Sequence, residues 1–302
     1  FDADRKLIDA LIDRSALDLP EDVPNLRRRM MRAEPHGNYE ALLDRIRVVT
    51  GEQRFALGVQ LIGGVHDPLD IARGFATVAE AAMQAALAGT VAEFERAHGQ
   101  VEGSELVILG LGRLGGEALT HASDLDIIYL FTGDHTAESD GERPMGATRY
   151  FNRLAQRVSA ALSVPTAEGP LYDVDTRLRP QGAQGPLAVS VESFARYQRE
   201  SAWTWEHMAL ARARVVAGSY AARADVDDII REVLCAPRDA ATLRDDVLRM
   251  RGEMATHKPA KGPLDVKLLR GGLVDIEFIL HFLQLRDHVA LDPRLSSACD
   301  TL

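Results

Sequence analysis

Two aspartates, Asp124 and Asp126, flank Leu125 at the head of the apolar run LDIIYLF. Alternate side chains of a β-strand share a face, so both carboxylates point the same way, with Cα atoms roughly 6.6 Å apart at about 3.3 Å per residue. Like charges so placed repel unless a cation or a basic group compensates them. Magnesium answers that need, because it takes hard oxygen ligands and is commonly held by one or two carboxylates together with substrate phosphates. The competing reading is a solvated turn, in which Ser123-Asp124 merely ends a loop.

The segment just upstream favours the metal. GLGRLGG, Gly110 to Gly116, comes after a short apolar run, and its glycines let the backbone approach a bulky anion closely. N–H groups at the start of the next helix are then available to a phosphate. A third carboxylate is needed to complete a two-metal site, and LYDVDTR, Leu171 to Arg177, offers Asp173 and Asp175. The period of two puts both on one face with Arg177 and does not choose between them. Arg177 and Arg179 add guanidinium groups suited to a triphosphate, with ordinary pairing to nearby acids as the alternative.

A rival reading comes from the same glycines. Gly110-x-Gly112-x-x-Gly115 matches the dinucleotide-binding fingerprint, and Asp134 lies about 20 residues on, where a ribose-binding acid is expected. That reading predicts an oxidoreductase. Against it, only about eight residues separate the turn from Ser123, whereas a parallel crossover takes a dozen or more. It also leaves Asp124 and Asp126 without a role.

The elements that must position these residues are legible from periodicity. Residues 1 to about 100 read as helical: Leu7, Leu11 and Ile12 have helical spacing, Asn38 is placed to cap a long helix from Tyr39, and Asp67-Pro68 opens an Ala-rich helix that stops before Gly99. Leu106 to Leu109, Leu125 to Phe131 and Leu171 to Arg177 read as strands. Phe151, Leu154, Val158 and Leu162 mark an amphipathic helix between the last two. Gly133 to Gly146 and Pro180 to Pro186 read as loops. From Ser193 onward the pattern is again helical, apart from a short strand at Leu264 to Leu268 before Gly271-Gly272. In the helix after those glycines, Asp275 and Glu277 fall in the first turns, where the helix dipole favours negative charge. The fold class is therefore α+β: a small mixed sheet, residues 103–218, flanked by mainly helical segments at 1–102 and 219–302.

Composition narrows the function classes. A chain of 302 residues with a 46% hydrophobic share supports well-buried cores rather than disorder. The net charge of −10 works against general attraction to nucleic acid, and the cluster Arg27, Arg28, Arg29 and Arg32 reads as a solvated helix face. No apolar run suggests a membrane span and no signal-peptide pattern opens the chain. Cys235 and Cys299 lie far apart in no metal-ligand spacing, which fits a reducing cytoplasm. The first residue is Phe1, so the chain reads as a fragment of a longer polypeptide.

Three stretches carry a resemblance. GLGRLGGEALTHASDLDIIYLF, LYDVDTRLRPQGAQGPL and SAWTWEHMALARARVVAG, with GGLVDIEFILHFLQLR further on, resemble the glutamine synthetase adenylyltransferases and adenylyl-removing enzymes of the DNA polymerase beta-like nucleotidyltransferase superfamily. The resemblance implies roles by position. Asp124 and Asp126 match the paired metal ligands, and Asp175, directly before TRLRP, matches the third carboxylate better than Asp173. Gly115 and Gly116 match the phosphate-cradling turn, with Ser123 preceding the acidic pair. Arg113 stands where relatives often carry lysine.

The resemblance also implies an activity. A tyrosine hydroxyl of glutamine synthetase attacks the α-phosphorus of ATP and pyrophosphate leaves, with magnesium at both ends and Asp175 as nucleophile-side ligand and proton acceptor. The family carries two catalytic halves in tandem, one adding AMP and one removing it by phosphorolysis. Trp203 to His207 resembles the adding half, and a single constellation is consistent with one half, whose further helices would come after Leu302. The PII signal protein is an implied partner, in the setting of nitrogen metabolism. A removing half and a non-catalytic helical interaction module are the remaining alternatives.

Overall fold

The computed structural model describes residues 17–32 and 38–302. The spacing at Leu7, Leu11 and Ile12 lies outside the described residues. Three helices open the described chain. In α1 (Val23–Met30) the Asp22 carboxylate accepts from the Asn25 amide at 2.9 Å. In α2 (Tyr39–Gly63) Asn38 accepts from the Ala41 amide at 2.9 Å, and Gly64 ends the helix at φ 62°. In α3 (Pro68–His98) Asp67 caps the Leu69 amide and Pro68 takes the first position. These caps satisfy donors that have no partner inside a helix. Arg27, Arg28 and Arg29 are exposed on the last turn of α1, the solvated face expected of them.

By length and composition α3 is apolar enough to cross a membrane, contrary to the reading that no run approaches such a length. Its alanines explain the difference: 67% of that apolar window is buried inside the protein, against α2, α1 and the sheet. It is the core helix of the N-terminal layer.

The sheet is mixed and small. Strand β1 (Leu106–Gly110) pairs antiparallel with β2 (Leu125–Phe131), Leu106 opposite Phe131 and Gly110 opposite Ile127. The one-turn α4 (Gly112–Gly115) joins them. That antiparallel hairpin excludes the dinucleotide-binding reading, which requires a parallel crossover. Asp134 is engaged locally, accepting from the Thr136 amide and hydroxyl. After α5 (Ala147–Ser163), two short strands add in parallel to the same edge of β2. Strand β3 (Val174–Asp175) pairs at its head and β4 (Ala188–Ser190) at its tail.

Helices α6 (Val191–Glu200) and α7 (Thr204–Leu210) lead into β5 (Arg214–Ala217), antiparallel to β1 on the opposite edge. Then α8 (Tyr220–Leu234), α9 (Ala240–His257), α10 (Leu273–Asp287) and α11 (Leu295–Thr301) complete the chain.

Three expectations need correction. The third strand is far shorter than Leu171 to Arg177, because Asp175 accepts from the Arg177 amide and turns the chain out of the ladder. Leu264 to Leu268 is no strand: the Asp265 carboxylate ties it into turns by accepting from the Lys261 and Leu268 amides, leaving Leu264 and Val266 exposed. Strand β5 stands instead in the stretch expected to be helical. Val215 and Val216 are wholly buried there, and a four-residue run inside an Ala- and Arg-rich segment carries too little periodicity to announce itself.

Arg47 ties the N-terminal layer to the sheet side. It is 4% exposed and donates to the carbonyls of Leu43, Ala161, Val164 and Gly169 at 2.7–3.0 Å. Arg47→Met fills the volume but strands the Ala161 and Val164 carbonyls at the end of α5, while the Gly169 carbonyl keeps only the Thr166 amide. It should cost about 3 kcal/mol in urea unfolding. A loss no larger than the roughly 0.5 kcal/mol of a surface change would mean that these bonds do not hold the layers together.

Candidate functional site

Three carboxylates converge at the head of β2. One oxygen from each of Asp124, Asp126 and Asp175 lies within 4.8 Å of the others, and this is the grouping of metal-ligating residue types found among the described residues. The register produces it: Leu125 opposes Val174 and Asp126 opposes Asp175, so the parallel pair sets two carboxylates side by side. Asp124 joins from just before the strand. Asp173 is exposed and outside the group, its carbonyl accepting from the Leu125 amide at 2.9 Å. Periodicity leaves Asp173 and Asp175 equivalent; the two-residue ladder separates them.

The electrostatics follow from this crowding. Burial, then the charges of Asp124 and Asp175, push the Asp126 carboxyl up to about 6, against the pull of Arg177 and Arg212. Asp175 moves the other way. Hydrogen bonds from the Arg177 side chain and amide hold its carboxyl below the usual range. The geometry fits a divalent cation: three hard-oxygen donors on one side, with a carboxylate that the fold alone leaves under-compensated.

The glycine turn lies against this group. Gly112 adopts φ 55°, and a Cβ there would stand 2.6 Å from Oδ2 of Asp126. The Leu111 amide donates to the Asp126 carbonyl at 2.9 Å, fastening the turn to the strand. Gly115 and Gly116 close the turn by packing. A Cβ on Gly115 would meet the Arg212 carbonyl at 1.9 Å, and one on Gly116 the Arg212 guanidinium at 2.6 Å. Their own amides donate to Leu111 and Gly112.

The remaining residues of interest have local partners. The Ser123 hydroxyl accepts from the Thr120 amide at 3.1 Å and closes the loop between α4 and β2, with the Arg113 guanidinium 3.5 Å away. Arg177 is highly exposed beside Asp175. The Arg179 guanidinium donates to the Thr176 and Pro186 carbonyls at 2.8 and 3.1 Å, bracing the loop that contains the short 3-10 turn Gly182–Gln184. Asp275, in the first turn of α10, accepts from the Gly271 amide just before the helix at 2.6 Å and pairs with Arg251. In the Trp203 to His207 stretch, Trp203 and Trp205 are exposed, while buried Glu206 accepts from the Trp203 amide and the Tyr197 hydroxyl.

Sequence reasoning misses two features. In the sequence Gly112 is one member of a glycine cluster, with nothing to mark it as the residue beside Asp126. Arg212, 7% exposed, lies under the turn and pairs with Glu277 of α10 at 3.2 Å. Its only sequence signal is an arginine set just before an apolar β-branched run.

The raised Asp126 carboxyl makes a stability prediction. Its folded value, about 6, exceeds the ordinary 3.8, so the fold favours the neutral form. That stability is fully present below pH 3.8 and lost as pH rises through about 6. In chelator, Asp126→Asn should therefore be more stable than wild type at pH 7–8, by about 1–2 kcal/mol after allowing for solvent screening, and equal to it near pH 4. Thermal melts across this range decide it; a variant less stable at pH 8 would contradict the crowding argument.

Comparison with known proteins gives the fold and site a family. The sequence model described as glutamate-ammonia ligase adenylyltransferase matches residues 2–229. The bifunctional glutamine synthetase adenylyltransferase/adenylyl-removing enzyme of Mesorhizobium japonicum is 41% identical over 298 residues, covering 98% of this chain and 30% of that protein. Its counterpart in Rhizobium meliloti is 47% identical over 249 residues, 82% of this chain and 25% of the relative. The Brucella melitensis protein is 45% identical over 258 residues, with 85% and 26% covered. The chain thus spans under a third of the length of these curated relatives. With a family match across three quarters of its residues, the chain belongs to the glutamate-ammonia ligase adenylyltransferase family.

Proposed function

We propose that this chain transfers AMP from ATP to a tyrosine hydroxyl of glutamine synthetase. The observation that carries the reading is the convergence of Asp124, Asp126 and Asp175 beside a glycine turn, in a chain of this family. In the reaction the tyrosine oxygen bonds to the α-phosphorus, the bond to the β-phosphate oxygen breaks, pyrophosphate departs and the tyrosine proton is released. Nucleotidyl transfer asks for in-line positioning and for compensation of spread negative charge.

Asp124, Asp126 and Asp175 would together hold magnesium, with Asp175 serving as the ligand on the nucleophile side. Magnesium held there supplies Lewis-acid stabilisation of both the attacking and the leaving oxygen. The Gly112 to Gly116 turn, with Gly115 and Gly116 at its base, cradles the triphosphate. Ser123 fastens the loop that leads into Asp124 by accepting from the Thr120 amide, Arg177 is the exposed cation at the phosphate side, and Arg179 braces the loop behind it. Asp175 stays ionised under the hold of Arg177, which suits a ligand better than a proton acceptor. The free thiols Cys235 and Cys299 accord with a cytoplasmic setting, where ATP and glutamine synthetase are found.

Two variants separate the third ligand. Asp175→Asn should abolish transfer of labelled AMP to glutamine synthetase, by at least about 100-fold, while Asp173→Asn keeps most of it. Equal loss in both would move the third ligand. Asp124→Asn and Asp126→Asn should each be as inactive as Asp175→Asn with the fold intact.

Direction is the finer part of the proposal. Trp203 to His207 resembles the adding half, so unmodified glutamine synthetase with magnesium-ATP is the preferred substrate pair. One site stabilises the same transition state in both directions, so selectivity rests on which second substrate enters. Supplying adenylylated glutamine synthetase with inorganic phosphate measures the reverse. Faster ADP release there than AMP incorporation in the forward assay would identify the removing half instead.

A further inference from the structure

Arg212 lies in the connection between α7 and β5, and three observations converge on it. The turn rests on both its main chain and its side chain. The Arg212 carbonyl occupies the place of a Gly115 Cβ, and Nη2 and Nε lie 2.6 and 2.9 Å from that of Gly116. Its guanidinium is held by one carboxylate, Oε1 of Glu277 at 3.2 Å. Its Nε is buried without a hydrogen-bond acceptor among the described residues, a costly state for a guanidinium. The other charged groups acting on it are Arg113, which repels it, and Asp126, which attracts it.

From this arrangement we infer that Arg212 is a positioning residue for nucleotide binding and that Glu277 is the strut that holds it, so that α10 governs the glycine turn. Glu277 bonds the guanidinium from α10 and holds it beneath Gly116, against the attraction of Asp126. With that charge removed, the remaining attraction is toward Asp126, and the guanidinium turns toward the carboxylates and takes its support from under the turn. The segment GGLVDIEF, Gly271 to Phe278, thereby gains a division of labour: Asp275 ties down the turn that leads into α10, and Glu277 reaches Arg212.

The inference rests on the nucleotidyl-transfer reading, and titration calorimetry with magnesium-ATP on the full chain tests the two separately. Glu277→Gln, isosteric at a partly exposed position, should melt with the wild type yet weaken magnesium-ATP binding about tenfold, as removal of a supporting partner commonly does. Glu277→Asp, which keeps the charge but falls short of Arg212, should weaken it less. Arg212→Lys keeps a cation without the planar fork and should weaken binding similarly. Because Glu277 acts through Arg212, the combined Glu277→Gln/Arg212→Lys loss should fall well short of the product of the single losses. Glu277 variants that bind within twofold of a nucleotide-binding wild type, or losses that multiply, overturn the strut. A wild type that binds no magnesium-ATP overturns the nucleotidyl-transfer reading and the strut with it.

Discussion

Mutual repulsion among three carboxylates is the constraint around which this molecule is arranged. One oxygen from each of Asp124, Asp126 and Asp175 lies within 4.8 Å of the others, and burial, reinforced by the two neighbouring charges, pushes the Asp126 carboxyl up to about 6. A fold without a ligand gains nothing from such crowding, and the sheet has to hold it in place. Two backbone pairings do so. The β2–β3 register sets Asp126 opposite Asp175, and the Leu111 amide fastens the glycine turn to the Asp126 carbonyl. The ladder at β3 is only two residues long, so Asp175 ends the strand and, by accepting from the Arg177 amide, turns the chain at once toward the arginines.

Everything further out supports that corner. Strand β1 carries the turn, and β5 brings Arg214 against Glu80 of α3 at 2.7 Å and near Glu117 just after the turn. Arg47 binds the N-terminal layer to the end of α5. From the C-terminal side Glu277 reaches Arg212 beneath the turn. The site is small, but helices from both ends of the described chain meet it.

Much of this is legible in the residues themselves, for a physical reason. The caps at Asn38 and Asp67, the strands at Leu106 and Leu125 and the amphipathic helix around Phe151 to Leu162 depend on local chemistry and periodicity. The acid pair is legible because a strand's period of two fixes its face. The choice of Asp175 over Asp173 is not, since a register between distant segments leaves no local trace; family resemblance supplies it. Strand β5 escapes notice because four residues of RVVA sit among helix formers. Arg212 and Gly112 are opaque because their meaning lies in what a side chain would meet across the fold. The false strand at Leu264 to Leu268 shows the converse: apolar residues alternating in a turn that one aspartate ties together.

The most direct measurement is manganese binding by electron paramagnetic resonance, because it reads the carboxylate site without requiring glutamine synthetase. The proposed cation site predicts saturable binding at about pH 7.5 that weakens as pH falls through about 6, since the ligands must be ionised. Binding should strengthen with ATP and vanish in Asp126→Asn. Manganese affinity that is unchanged in Asp126→Asn, or no saturable binding in the wild type with ATP present, would contradict the claim that these three carboxylates form the catalytic metal site.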